Sequence, residues 1–360
     1  MKQTNPKDNL KEVGMGVVKS AKAGQNPQLD IPIRALSNVS FDPKKKLIVM
    51  GNKISKRFLF NVAHIRKFVQ TLEVAAQAKE LLEENKHISL RQTFYKMRRT
   101  LPGTNIDIVD EQEESNEALE DLELVTGCSR EQLHINANKN GAAAGKIVIK
   151  DKGDIIDWSK LGSGGWSIPS NTEEIEFKKV DAKFIIYMEK AAMWERLHED
   201  RVWEKLNCVI IASQGQATRG IRRLLQRMNT ELKLPVYVLV DFDPWGFYIY
   251  SVLKFGSISL ANLSGELAVP NAKLIGLTAD DVERCELKKH IIRFQETDKS
   301  RLKQLKKYEW FTNSKAWQRQ FDMMEKMGGK VELDALVAKG ITFVSDKYLP
   351  EKIHKKDFID

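Results

Sequence analysis

Residues Pro235-Val-Tyr-Val-Leu-Val240 run directly into Asp241-Phe-Asp243-Pro-Trp-Gly246, and this stretch constrains the fold more than any other. An unbroken apolar run of this length reads as a buried strand. In a strand, residues spaced i, i+2 share a face, so Asp241 and Asp243 project the same way. Pro244 and Gly246 then stop the strand and open a turn. Open α/β sheets bind ligands at the C-terminal edges of their strands, and two carboxylates there suit a hard divalent cation that handles phosphate. A pair of solvated loop acids is the other reading of the same residues.

The pattern repeats on either side. Lys183-Phe-Ile-Ile-Tyr-Met188 precedes a helix over about 191–206, and Cys208-Val-Ile-Ile-Ala212 precedes one over about 218–229. The strand at 236–240 leads to a helix over about 247–255, and Lys273-Leu-Ile-Gly276 follows. Such alternation predicts a mostly parallel sheet with helices on both faces. A helical tail from Lys299 carries Leu302, Leu305 and Tyr308 on one side.

The front half differs. Residues 1–56 read as a polar extension with short β-like pieces, Ile31-Pro-Ile33 and Lys46-Leu-Ile-Val-Met50. From Arg57 to Glu84 there is no Gly or Pro, and Val62, Ile65, Val69, Leu72 and Ala76 recur with helical period. Ser89-Leu-Arg-Gln92 has the form of a capping box, starting a helix that runs to about Thr100 before Leu101-Pro-Gly103. Ser129-Arg-Glu-Gln132 repeats that form, Asn140-Gly141 predicts a tight turn, and Lys146–Lys150 alternates like a strand. Short helices followed by a hairpin predict a winged-helix unit, a nucleic-acid-binding arrangement. The expected organisation is an extension over 1–56, a winged-helix domain over 57–150, a Gly/Ser-rich linker over 151–175 and a parallel-sheet domain over 176–360. The fold class is α/β plus α+β.

Charge points to the partner. The net charge is +9, yet residues 107–123 hold nine acids and no Lys or Arg. The remainder sets 58 basic residues against 40 acidic ones, a surplus that favours a polyanion, above all nucleic acid. A merely soluble basic protein is the alternative. No apolar run approaches a membrane span, so no membrane partner is expected. The three cysteines, Cys128, Cys208 and Cys285, are far apart and read as reduced intracellular thiols.

Glu189 ends its strand as Asp241 ends its own. In a parallel sheet both edges lie on one side, so Glu189, Asp241 and Asp243 are expected to converge. Three carboxylates together repel unless a cation or a proton offsets them, and Mg²⁺ fits. Taken alone, Glu189 reads first as a surface acid at a helix N-terminus, favoured by the dipole. In the front half, Arg91 and Tyr95 are i, i+4 neighbours on the helix after Ser89, with Arg98 and Arg99 about a turn further on. A phenol flanked by guanidinium groups suits attack on a phosphodiester. Ionising a free Tyr at neutral pH costs about 4 kcal/mol, which nearby cations would reduce. A half-buried aromatic beside solvated arginines fits the same residues. Gln214–Arg219 opens a helix that also carries Arg222, Arg223 and Arg227, and its N-terminus with Arg219 could hold a backbone phosphate.

Together these residues resemble the A subunits of type IIB DNA topoisomerases (topoisomerase VI), the family that includes the meiotic double-strand-break transesterase. The resemblance rests on Leu90-Arg91-Gln-Thr-Phe94-Tyr95, Met188-Glu189-Lys190, Thr218-Arg219 and Pro235 to Gly246, with weaker matches at Ile31–Arg34, Asn140–Gly145 and Lys254–Ser257. It spans the chain from residue 31 onward. It implies a CAP-like winged helix followed by a Toprim domain, with Tyr95 as nucleophile, Arg91 assisting at the scissile phosphate, and Glu189, Asp241 and Asp243 holding Mg²⁺. It also implies double-stranded DNA as substrate, contacted by Arg98, Arg99 and Arg219. Two A subunits, paired as a homodimer, would join two B subunits that carry the ATPase, and the tyrosine of one protomer would work with the metal site of the other. The expected setting is the cytoplasm with its nucleoid in an archaeon, or the nucleus in a eukaryote. Ala191 departs from the family, which commonly has an acid there, and the Gln214–Arg219 loop is compact. The rival readings are a recombination initiator that cuts without resealing, a Toprim nuclease or primase that ignores Tyr95, and a non-enzymatic winged-helix DNA-binding protein.

Overall fold

The computed structural model describes residues 5–360, which separate into two compact units. The first comprises residues 5–40 and 50–138, the second residues 41–49 and 139–360.

In the first unit, the helix Ile65–Glu84 packs against Gln112–Thr126, and the short helix Leu90–Met97 lies against both. The expected extension is itself structured. Asn5 caps a helix at Pro6–Lys22, whose Leu10 enters the core with Val74, Leu81, Phe94 and Leu122. Gln28–Pro32 pairs antiparallel with Ile54–Phe58, burying Leu29 and Ile31 beside Phe68. The long helix therefore starts later than its composition predicts. Val62 is 97% exposed and precedes it, and the buried face runs through Phe68, Thr71, Val74, Ala78 and Leu81. At Ser129 the capping interactions form without a helix behind them. Ser129 N–H donates to Gln132 Oε1 at 2.8 Å, and the chain then makes a turn into the strand Ile135–Asn136.

The acidic segment is consumed within this unit. Arg34 pairs with Glu120, Arg57 with Asp121, Lys67 with Glu117, and Arg66 with both Asp110 and Glu114. Its negative charge thus offsets fixed positive charge on neighbouring elements.

The second unit is built on a six-stranded mixed sheet. Its order is Trp166–Ser167, Ala142–Gly145, Val209–Ala212, Ile185–Met188, Val236–Leu239, Lys273–Leu274. The last four run parallel, and the first two are antiparallel additions at one edge. The three central strands are almost wholly buried, as near-continuous apolar runs require.

Two expectations need correction. The hairpin expected as the wing, Ile147–Asp151 with Asp154–Asp157, lies in the second unit, where Glu176–Val180 completes a three-stranded sheet. Its turn is at Lys152-Gly153, both with positive φ, and not at Asn140-Gly141. The stretch expected as a linker is packed. Trp158 is 1% exposed and stacks on Trp166 at 4.9 Å, and Gly165 has positive φ in a spot where a Cβ would collide with Trp194 and the Ala143 carbonyl. At Gly165 the missing side chain permits close approach of the backbone. Among the described residues, no helix is long and apolar enough to cross a membrane.

Candidate active site

The parallel strands Ile185–Met188 and Val236–Leu239 are adjacent, with Met188 opposite Leu239. Each chain leaves the sheet at the same level, which brings Glu189 beside Asp241. Glu189 is 7% and Asp241 3% exposed. Phe242 turns the other way, into the core, and pairs with Val331. Asp243 then caps the helix Pro244–Phe255 by accepting from the Gly246 N–H.

The electrostatics reflect crowding. Burial, then repulsion from Asp241 and Asp243, pushes the Glu189 carboxyl up to about 8. Burial likewise raises Asp243 to about 6, against the pull of its Gly246 contact. Asp241 is also raised by burial, although Oδ1 accepts the Leu333 N–H at 2.7 Å and Oδ2 lies 2.8 Å from Lys190 Nζ. Burial opposes the charge on Lys190, but its contacts with Asp241, Glu332 and Asp334 carry its pKa above the usual lysine value.

Among the described residues, no three His, Cys, Asp or Glu side chains stand close enough to hold a metal as placed. The chemistry of the donors nonetheless fits one. They are hard carboxylate oxygens at a strand edge, buried at Glu189 and Asp241, and Glu189 lies in the field of Asp241 and Asp243, an arrangement that a divalent cation would offset.

In the first unit, Ser89 and Gln92 form the reciprocal capping box, at 3.2 Å and 2.8 Å, that starts the helix Leu90–Met97. Thr93, Phe94 and Met97 are buried, which turns Arg91 and Tyr95 outward; Tyr95 is 55% exposed. Arg91 donates from Nη2 to the Tyr95 hydroxyl at 3.2 Å and from Nη1 to Gln112 Oε1 at 2.7 Å. Arg98 and Arg99 fall just past the helix end. Arg98 is exposed over the Phe94 ring, whereas Arg99 is bound by both oxygens of Glu73 at 2.9 Å.

Arg219 is the first residue of the helix Arg219–Glu231, behind the Thr218 cap. Its basic neighbours are not available to a ligand as the sequence predicts. Arg222 is buried and lowered to about 10, chiefly by desolvation, Arg223 is paired with Glu173, and Arg227 with Glu231.

Sequence reasoning missed Gln112, Lys190, Glu332 and Asp334. Glu332-Leu-Asp334 repeats the acid-x-acid spacing of Asp241-Phe-Asp243 and was the available signal. Gln112 carried none.

Known proteins share these features. Residues 66–135 match the family model for type IIB DNA topoisomerase. Residues 184–353 match the Toprim domain shared by topoisomerase 6 A subunits and Spo11, and residues 138–181 the all-beta domain of the DNA topoisomerase VI alpha subunit. The A subunit of type 2 DNA topoisomerase 6 from Pyrococcus abyssi is 43% identical, over 96% of this chain and 93% of its own length. That from Hyperthermus butylicus is 39% identical over the same shares. The A subunit of DNA topoisomerase 6 from Arabidopsis thaliana is 31% identical, over 97% of this chain and 80% of its own. A tyrosine-bearing capped helix, a Toprim carboxylate edge and identity along nearly the whole chain agree, and the chain belongs to the family of type 2 DNA topoisomerase 6 A subunits.

Proposed function

We propose that the chain is the DNA cleavage and religation subunit of an ATP-dependent type IIB DNA topoisomerase, acting by Mg²⁺-dependent transesterification. The observation that carries this reading is the exposed Tyr95 hydroxyl, held by Arg91 on a helix within the segment that matches type IIB topoisomerases. The Tyr95 oxygen gives up its proton and attacks a backbone phosphorus, an O–P bond forms, the P–O3′ bond breaks, and the 3′ oxygen takes up a proton, so that none is gained or lost overall. The 5′ phosphate stays on the tyrosine, which conserves the ester for religation by the reverse step. Arg91 orients the hydroxyl and offsets charge building on the phosphoryl oxygens.

Glu189, Asp241 and Asp243 would hold the Mg²⁺, which when bound supplies positive charge at the reacting phosphate. Arg98, Arg99 and Arg219 contact the DNA backbone, Arg99 while still sharing its charge with Glu73. The first unit serves as a CAP-like winged-helix domain, with the pair Gln28–Pro32 and Ile54–Phe58 as its candidate wing. The relatives' designation as A subunits supports a B-type partner, and the reading adds that this partner carries the ATPase in a heterotetramer built on a homodimer of this chain.

The test is to incubate the protein with its B partner, Mg²⁺, ATP and plasmid, then denature with detergent. Protein attached to 5′ ends is expected, and Tyr95→Phe should abolish it. An equal yield from that variant would reject the mechanism.

A further inference from the structure

Lys190 Nζ lies 2.8 Å from Asp241 Oδ2, 3.0 Å from Glu332 Oε2 and 3.0 Å from Asp334 Oδ2. An ammonium has three N–H donors, and three carboxylates from two parts of the chain, Asp241 and the segment Glu332–Asp334, take them. The three acids are not equivalent. The Asp241 side chain is 4% exposed, while those of Glu332 and Asp334 are 43% and 53% exposed. Asp241 Oδ1 is fixed by the Leu333 backbone N–H, so only Oδ2 is held by a group that can leave. Lysine carries its charge on a flexible four-carbon stem, well suited to changing partners.

We propose that Lys190 is the resident counter-cation of the carboxylate site: it holds Asp241 Oδ2 while no metal is bound, and withdraws onto Glu332 and Asp334 when one enters. The inference rests on the metal reading above. Lys190 stays protonated throughout, and no bond to it is made or broken. Glu332 and Asp334 are positioning residues that retain the displaced ammonium, leaving Glu189, Asp241 and Asp243 to the metal. Part of the repulsion that Asp241 exerts on its neighbours is thereby offset before metal arrives.

The experiment uses the full-length chain with Mn²⁺ in place of Mg²⁺, counting free Mn²⁺ by electron paramagnetic resonance. Lys190→Met should tighten Mn²⁺ binding by about tenfold, the equivalent of one charge-assisted hydrogen bond no longer competing. The double variant Glu332→Gln/Asp334→Asn should weaken Mn²⁺ binding by about threefold or more, because Lys190 then has only Asp241 to hold. That weakening should vanish when Lys190→Met is added. Unchanged or weaker binding by Lys190→Met overturns the proposal, as does a weakening by the two acids that persists without the lysine. Should Lys190→Met fail to fold, Lys190→Gln takes its place in both comparisons, with the same results decisive. If the unaltered chain binds no Mn²⁺, or Glu189→Gln and Asp243→Asn bind it as well as the unaltered chain, the metal reading itself falls. If those variants lose Mn²⁺ and Lys190→Met gains nothing, only the counter-cation role falls.

Discussion

The Tyr95 hydroxyl accepts a 3.2 Å hydrogen bond from Nη2 of Arg91, one turn earlier on the same helix. The direction of that bond matters. A hydroxyl that accepts from a guanidinium keeps its own proton free to depart, and the positive charge already stands where negative charge develops during attack. Gln112, at the start of the acidic helix, fixes the other end of the guanidinium.

Arg91→Ala should therefore slow single-turnover cleavage by about 10²–10³-fold, the usual loss for removing one stabilising donor, while DNA affinity falls far less. Gln112→Ala leaves Arg91 in place but untethered, so a loss of about fivefold in cleavage rate is expected, equivalent to one ordinary hydrogen bond. A Gln112→Ala protein that loses DNA affinity at full cleavage rate would make Gln112 a DNA contact and not a tether.

How much of this was legible in the sequence differs by element. The Asp241 and Asp243 edge was, because an apolar run ended by Pro and Gly specifies where a buried strand stops. The meeting of Glu189 with Asp241 followed from parallel pairing, which the Met188–Leu239 register bears out. The stretch 151–175 was misread because Gly and Ser signal a linker and a tight packing site alike. The stacked Trp158 and Trp166 were the contrary evidence, since exposed tryptophan pairs are unfavourable in a linker. Val62 fitted a helical period by spacing alone; the Asn61 side chain does accept from the Ala63 N–H, but residues 62–64 form a turn and the helix starts only at Ile65. Lys190 with Glu332 was invisible for a different reason. The two are 142 residues apart, and only the closed fold brings them together.

The raised Glu189 carboxyl makes stability depend on pH in a defined direction. Its pKa rises from an ordinary 4.5 to about 8 in the folded chain, from burial first and then from Asp241 and Asp243. Between those values the folded state holds a proton that the unfolded state has released, so stability falls as pH rises. Asp243, raised to about 6, acts with the same sign in the lower part of the window. In chelator, Tm should fall steadily from pH 5.5 to pH 8.5, by an amount on the order of a few kcal/mol in stability. Glu189→Gln should flatten that slope, and Mg²⁺ should counter it most at the alkaline end, where the carboxylates are ionised. A slope unchanged in Glu189→Gln would place the titrating group elsewhere.

Arg98 and Arg99 adjoin in sequence but differ in what already occupies them. Arg98 is solvent-facing over Phe94, and Arg99 is neutralised by Glu73. If both reach backbone phosphate, Arg98→Ala should lower the slope of log affinity against log salt by about one, and Arg99→Ala by clearly less. Titration of a duplex at several salt concentrations decides this. Equal slopes for the two variants would mean that DNA displaces Glu73 entirely.

Asp243 serves two purposes, and the two can be separated. Its carboxylate faces Asp241 and Glu189, and its Oδ1 also caps the helix Pro244–Phe255 through the Gly246 N–H. Asp243→Ala removes both features and should cost about 1 kcal/mol of stability from the lost cap, measured by urea unfolding in chelator. Asp243→Asn keeps an oxygen for the cap and removes the charge. Relief of repulsion among the three acids should then leave the metal-free protein at least as stable as the unaltered chain. Both variants should lose Mg²⁺-dependent cleavage together, because the cation needs the charge that each has lost. Equal destabilisation by Ala and Asn would show that the carboxylate supports the helix through its charge, acting on the helix dipole, and not through the hydrogen bond that its oxygen accepts.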